Sequence, residues 1–206
     1  MKKEPESRRL PRQDRSRQRL ERILDAASVV FAESGYESAT TEAIAERAGT
    51  SIGSLYQFFP NKLALFNAIA ARYLERSAAI FDGLLTNDAP KASWEDLLDR
   101  SIDAFAASNR EPGFRAVWTN WQVSPGIFTA GDALNREFAS RTEAILATHA
   151  KRLPRQKRAL VATIVVEVMS AMLLLAARRD EKNSAAIAAE TKKLLRLYLG
   201  PYTGKG

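Results

Sequence analysis

The side chains of this sequence best suited to chemistry lie in two groups. Residues 40–65 read TTEAIAERAGTSIGSLYQFFPNKLAL, where Thr41, Ser51, Ser54 and Gln57 supply short hydroxyls and an amide, and Gly53 stands among them with no side chain. Hydroxyls bond phosphates or base edges, and a glutamine amide pairs bidentately with adenine. A glycine lets a helix backbone come close to the floor of a DNA groove, and Thr41 opens a helix, where free N–H groups favour a phosphate. The second group is an arginine-rich start with Arg8, Arg9, Arg12, Arg15 and Arg17. Such an arm either remains solvated or reaches backbone phosphates and the minor groove.

Enzymatic chemistry is poorly provided for. There is no cysteine and one histidine, His149, which removes disulfides, thiolate zinc sites, cysteine nucleophiles and multi-histidine metal sites. No glycine-rich phosphate loop and no Ser-His-Asp set is visible, so a non-enzymatic protein without cofactor or metal is expected. Over 206 residues the net charge is +7, a hint of nucleic acid or an anionic membrane. That charge is uneven: residues 1–22 carry nine basic and four acidic side chains, residues 23–75 three and six, and residues 76–206 nineteen and fourteen. No apolar leader follows the start, and the expected compartment is the cytoplasm.

These groups need elements to hold them, and the apolar spacing predicts nine helices and no strand, an all-α fold. Residues 1–15 read as a mobile tail. Leu20, Ile23, Leu24, Ala27, Val30 and Phe31 form the stripe of a helix over 17–34, ended by Gly35. Two short helices follow, 41–48 capped by Thr40 and 52–58 capped by Ser51, joined through Ala48-Gly49. That pair is a helix-turn-helix with Ile44, Ala45 and Leu55 facing inward and Phe59 as a core aromatic. Asn61 caps a long helix to about 85, and a further helix carries Trp94 to Phe105. Pro112 opens a short aromatic helix through 122, residues 124–126 read as a break, and another helix reaches about 152. The last two helices span about 154–179 and 184–199, the latter stopping at Gly200-Pro201. The apolar run 160–177 is short for a membrane span and has Glu167 at its middle, so it reads as a helix buried nearly all round, in a core or at an interface.

The block from Ile23 to Leu65 resembles the DNA-binding domain of TetR-type (tetracycline-repressor family) transcriptional regulators. The resemblance is carried by Ala26-Ala27, Phe31, Gly35-Tyr36, Thr40 to Ile44-Ala45, and Ala48-Gly49-Thr50-Ser51. It continues through Gly53-Ser54-Leu55-Tyr56, Phe59, Pro60-Asn61-Lys62 and Leu65. It implies a basic arm over 1–16, a helix-turn-helix domain over 17–62, and a ligand-binding and dimerisation domain over 63–206. It also implies phosphate contacts for Tyr56 and Lys62. Ile52 and Phe58 are apolar where the family is commonly polar; Ile52 stays among the DNA-facing residues, and Phe58 either packs or meets a thymine methyl.

The larger domain is where the resemblance implies an effector pocket. Phe105, Phe114, Trp118, Trp121 and Phe138 could line one for an apolar or aromatic molecule, with Asn120, Gln122 and Glu167 to orient it. The same aromatics could equally be ordinary core, and Glu167 could pair with an arginine at a subunit interface. His149 reads as a satisfied core or interface histidine. The last two helices resemble the pair that forms a four-helix bundle between subunits, with Leu160, Ile164, Val168, Met172, Leu175, Leu194 and Tyr198 at the contact. The implied function is a homodimeric repressor on a palindromic DNA operator, released by a small molecule. A constitutive or protein-partner-regulated DNA binder is the alternative, with a membrane-surface helical protein behind it.

Overall fold

The computed structural model describes residues 12–84, 92–108, 110–120 and 123–203, with only the backbone given for Arg12 and Gln13. Among these the chain forms helices only: α1 (Arg12–Ser38), α2 (Thr41–Arg47), α3 (Ile52–Phe58), α4 (Lys62–Leu84), α5 (Trp94–Ser108), α6 (Pro112–Thr119), α7 (Pro125–His149), α8 (Arg155–Ala177) and α9 (Glu181–Thr203). The all-α expectation holds, and several boundaries move. Residues 12–15, expected to be mobile, are the first turn of α1. The expected break at 124–126 instead opens α7, because Pro125 takes the first helical position, where a missing N–H costs nothing. Gly200-Pro201 does not stop α9, which runs on to Thr203. Pro201 lies in the last turn, where only the Leu197 carbonyl loses its donor.

Local signals fix the N-terminal head, from α1 through α3 to the start of α4. Gly35 adopts φ 76°, ψ 168° and breaks α1 where the apolar stripe ends. α2 ends in a Schellman motif: Gly49, at φ 62°, donates to the Glu46 carbonyl (3.0 Å) and Thr50 to the Ala45 carbonyl (3.0 Å). Thr40 accepts from the Ala43 N–H at 3.1 Å, Ser51 from Ser54 at 3.2 Å, and Asn61 from Ala64 at 2.8 Å, so all three expected caps are made.

Two cores result. Ile23, Ala27 and Phe31 of α1 meet Ile44, Leu55, Phe59, Leu65, Phe66 and Ile69, and this cluster continues through Tyr73 to Phe114 and Val117 of α6. α6 is thus seated on α1 and α4. The seat is tight at Gly113: a Cβ there would lie 2.5 Å from the Ser28 Oγ and from the Tyr73 ring. The second core packs α4, α5, α7, α8 and α9 around Phe81 and Phe138, stacked at 4.4 Å, with Ile102, Val161, Val166, Met169 and Leu195. α8 is the one described helix long and apolar enough to cross a membrane by length and composition. It is not buried all round: Val161, Val165, Met169 and Leu173 face the second core, while Leu160 and Leu175 stay exposed.

Candidate functional site

α3 presents a ready face. Leu55 is fully buried and turns that side to the core, while Ser51, Ile52, Gly53, Tyr56 and Gln57 are exposed and Ser54 is half-buried. Nothing lies within 4 Å of where a Gly53 side chain would begin, so the backbone there is open to an approaching surface. Phe58 packs against the head core, which settles its two readings in favour of packing. Phe59 is buried, as expected. The Ser51 hydroxyl is partly occupied, since it caps α3 and bonds the Ser54 hydroxyl at 3.0 Å.

Two DNA-facing expectations change character. Thr41 is buried, and its Oγ1 shares a hydrogen bond with the Tyr56 hydroxyl at 3.1 Å, tying the start of α2 to the middle of α3. Lys62 is not a free phosphate ligand. Its Nζ donates to the carbonyls of Tyr36 (2.8 Å), Glu37 (3.0 Å) and Ala39 (3.0 Å), which uses all three protons, and sits 4.6 Å from the Tyr36 ring centre. Lys62 therefore caps the end of α1, satisfying carbonyls that a helix C-terminus leaves without donors. Burial pushes the Tyr36 phenol above its ordinary value, helped by the Glu37 carboxylate. Arg47 makes a two-pronged pair with Glu33, whose hydrogen bond from Arg47 holds that carboxyl below its usual range. Arg72 reaches Asp25 at 2.8 Å and Glu21 at 3.3 Å, clamping α4 to α1. Arg15 and Arg17 are exposed on the first turns of α1; the side chain of Arg12 lies outside the described residues.

Four of the expected pocket residues do come together. Phe105, Phe114, Trp118 and Phe138, with Ser77, Leu134, Asn135, Ser170 and two leucines, line a cavity of 50 Å³. Trp121 and Gln122 lie outside the described residues. Glu167 does not line the cavity: it is exposed on α8 and accepts from the Asn135 amide at 3.4 Å. Asn135 in turn accepts from Ser170 at 3.2 Å, so a hydrogen-bond chain runs from the cavity wall to the outer face of α8. Asn120 bonds the Ala116 carbonyl at 2.8 Å and finishes α6 instead of orienting a ligand. His149 is satisfied, with Nδ1 at 2.8 Å from the Thr148 hydroxyl and Nε2 at 3.2 Å from the Ala92 carbonyl. Sequence reasoning missed a second cavity of 70 Å³ between Phe81, Trp94, Leu98 and Met169, because its lining comes from five helices whose packing local spacing does not encode.

The outer face of α8 carries Leu160, Ile164, Val168, Met172 and Leu175, none of them fully buried, and α9 adds Leu194 and the half-buried Tyr198. Leu197, at 78% exposed the most open large apolar residue among those described, extends this face and was not anticipated. Among the described residues no cluster of three or more metal-ligating side chains exists.

Comparison with known proteins gives the context. A family model described as bacterial regulatory proteins, tetR family, matches residues 23–69, and one described as tetracyclin repressor-like, C-terminal domain, matches residues 93–199. An HTH-type transcriptional repressor of Mycobacterium tuberculosis is 33% identical over 141 residues, covering 68% of this chain and 67% of that protein. The repressor KstR of Mycolicibacterium smegmatis is 41% identical over 66 residues, only 32% of each chain. Among solved structures, a TetR-family transcriptional regulator from Streptomyces coelicolor is 33% identical with a TM-score of 0.58, covering 89% of this chain and 99% of that one. A TetR-like regulator from Rhodococcus shares the fold at a TM-score of 0.67 and 22% identity, covering 96% of this chain and 100% of its own.

Proposed function

The chain belongs to the TetR family of bacterial transcriptional regulators, and from that membership we propose that it is a homodimeric repressor that reads a palindromic operator and releases it when a small molecule enters the larger domain. Members of this family bind DNA and are not enzymes, so DNA-binding regulation is the established part. The observation that carries operator reading is the exposed face of α3. Gly53 is open to close approach, and Ser54, Tyr56 and Gln57 lie within one turn of it. In this reading residues 17–62 form the head, Gln57 and Ser54 meet base edges, and Ile52 offers an apolar contact to a thymine methyl. Tyr56 and Thr41 approach a phosphate together as the pair they already form. Arg12, Arg15 and Arg17 supply cations from the start of α1.

Dimerisation is supported by the uncovered apolar face of α8 and α9, which is too extensive to suit an isolated subunit. A two-fold partner would place a second α3 about one helical turn of DNA away, roughly 34–36 Å. An effector is supported by the aromatic cavity beside α6, the helix seated on the head.

In vitro selection of bound DNA tests the reading in one step. The expected outcome is an enriched inverted repeat with half-sites about one or two turns apart. Enrichment of an unpaired motif would remove the two-fold reading, and no enrichment over random DNA would remove operator recognition.

A further inference from the structure

Granting the effector response proposed above, we infer that the effector is an uncharged, mainly apolar molecule carrying one hydrogen-bond acceptor, and that the acceptor pairs with the indole N–H of Trp118. The wall of the 50 Å³ cavity contains no acidic or basic side chain. A charged molecule would therefore lose its hydration there without a partner. The donors of the wall are nearly all spent. Ser77 donates to the Tyr73 carbonyl at 2.9 Å, Ser170 to Asn135 at 3.2 Å, and Asn135 to Glu167 at 3.4 Å. Asn135 keeps a second amide N–H, but Trp118 Nε1 is the wall donor that is buried with no hydrogen-bond partner among the described residues. The far edge of its six-membered ring lies against Gly131, with Cη2 at 3.6 Å from where a Cβ would sit, and Phe114 packs at 5.7 Å. Both of these contacts are made through ring carbons. A buried donor without an acceptor is costly, and a ligand that brings the acceptor recovers that cost.

The cavity is smaller than drug-sized sites of about 300–1,000 Å³, and even a cavity that takes benzene is about 150 Å³. Occupancy therefore requires a wall to yield. Phe114 and Trp118 both ride on α6, the short helix seated on α1 and α4, so the yielding wall is the one that touches the head.

The test uses the full chain with nitrogen-labelled indoles and a matched probe series: cyclohexanone, cyclohexane and cyclohexanecarboxylate. Trp118→Phe assigns the resonance and removes the donor. Cyclohexanone is expected to move the Trp118 indole N–H signal downfield. Its affinity is expected to fall about tenfold in Trp118→Phe, while that of cyclohexane changes less than twofold. Equal losses for ketone and hydrocarbon would show a role of shape alone and overturn the pairing. Binding of the carboxylate as tightly as the ketone would overturn the uncharged class. A Trp118 signal unmoved by saturating ketone in the wild-type chain would overturn the proposal outright, leaving the N–H to a trapped water. Operator affinity, followed by fluorescence anisotropy in the same samples, separates the two levels. A ketone that moves the Trp118 signal and leaves operator affinity unchanged supports the ligand chemistry and refutes the effector response.

Discussion

Between residues 23 and 75 the chain carries three basic side chains, Arg47, Lys62 and Arg72, and each is engaged inside the protein. On the proposed reading, the DNA-facing surface of the head would have hydroxyls, an amide and open backbone, and little positive charge of its own. Attraction to phosphate would then fall to the arginines before and at the start of α1. Replacing Arg15 and Arg17 together by Ala is expected to weaken operator binding and to flatten its salt dependence by about one unit of slope per lost phosphate contact. Lys62→Met is expected to act on stability instead. It should lower stability by about 1–2 kcal/mol by stripping three carbonyls of their donor, and leave the salt slope unchanged. Anisotropy titrations over a salt series and thermal unfolding of both variants decide the matter. A flattened slope in Lys62→Met would return that lysine to the DNA surface.

α6 is the element on which both halves of the molecule lean. It buries Phe114 and Val117 in the head core and lends Phe114 and Trp118 to the cavity, and Gly113 leaves no room between it and Ser28 and Tyr73. Gly→Ala inside a helix ordinarily stabilises by about 0.5–1 kcal/mol. At Gly113 the added carbon meets atoms at 2.5 Å, so destabilisation of about 1–3 kcal/mol is expected by denaturant unfolding. A neutral or stabilising result would mean that α6 is free to lift from α1. The same element shows what sequence could and could not reveal. Pro112 announced its start, and Phe114 and Trp118 announced an aromatic cluster. The caps at Thr40, Ser51 and Asn61, the turn at Gly49 and the break at Gly35 were all legible, because each depends on residues a few positions away. The reach of Lys62 to carbonyls at 36, 37 and 39, the Thr41–Tyr56 bond and the exposure of Glu167 depend on which helices pack together, which local spacing does not encode.

For the molecule as a whole, the uncovered faces of α8 and α9 are the dominant unsatisfied surface, with Leu160 and Leu194 half exposed and Leu197 more open still. A homodimer is expected, with a mass twice 22.8 kDa by light scattering at micromolar concentration. Ile164→Asp combined with Leu197→Glu should yield a folded monomer that loses operator binding. Retention of the dimer mass in that variant would move the interface elsewhere. The chain Ser170–Asn135–Glu167 joins the cavity wall to this face, Ser170 lining the cavity and Glu167 standing beside Val168 on the outside. A guest that shifts the cavity wall around Trp118 would also shift Ser170, which holds Asn135, and with it the Glu167 carboxylate beside Val168. Self-association and guest binding would then draw on one hydrogen-bond line, and each must alter the other's equilibrium constant by the same factor. The cellular concentration of the protein itself would become an input to the switch, shifting the dose of effector at which repression ends.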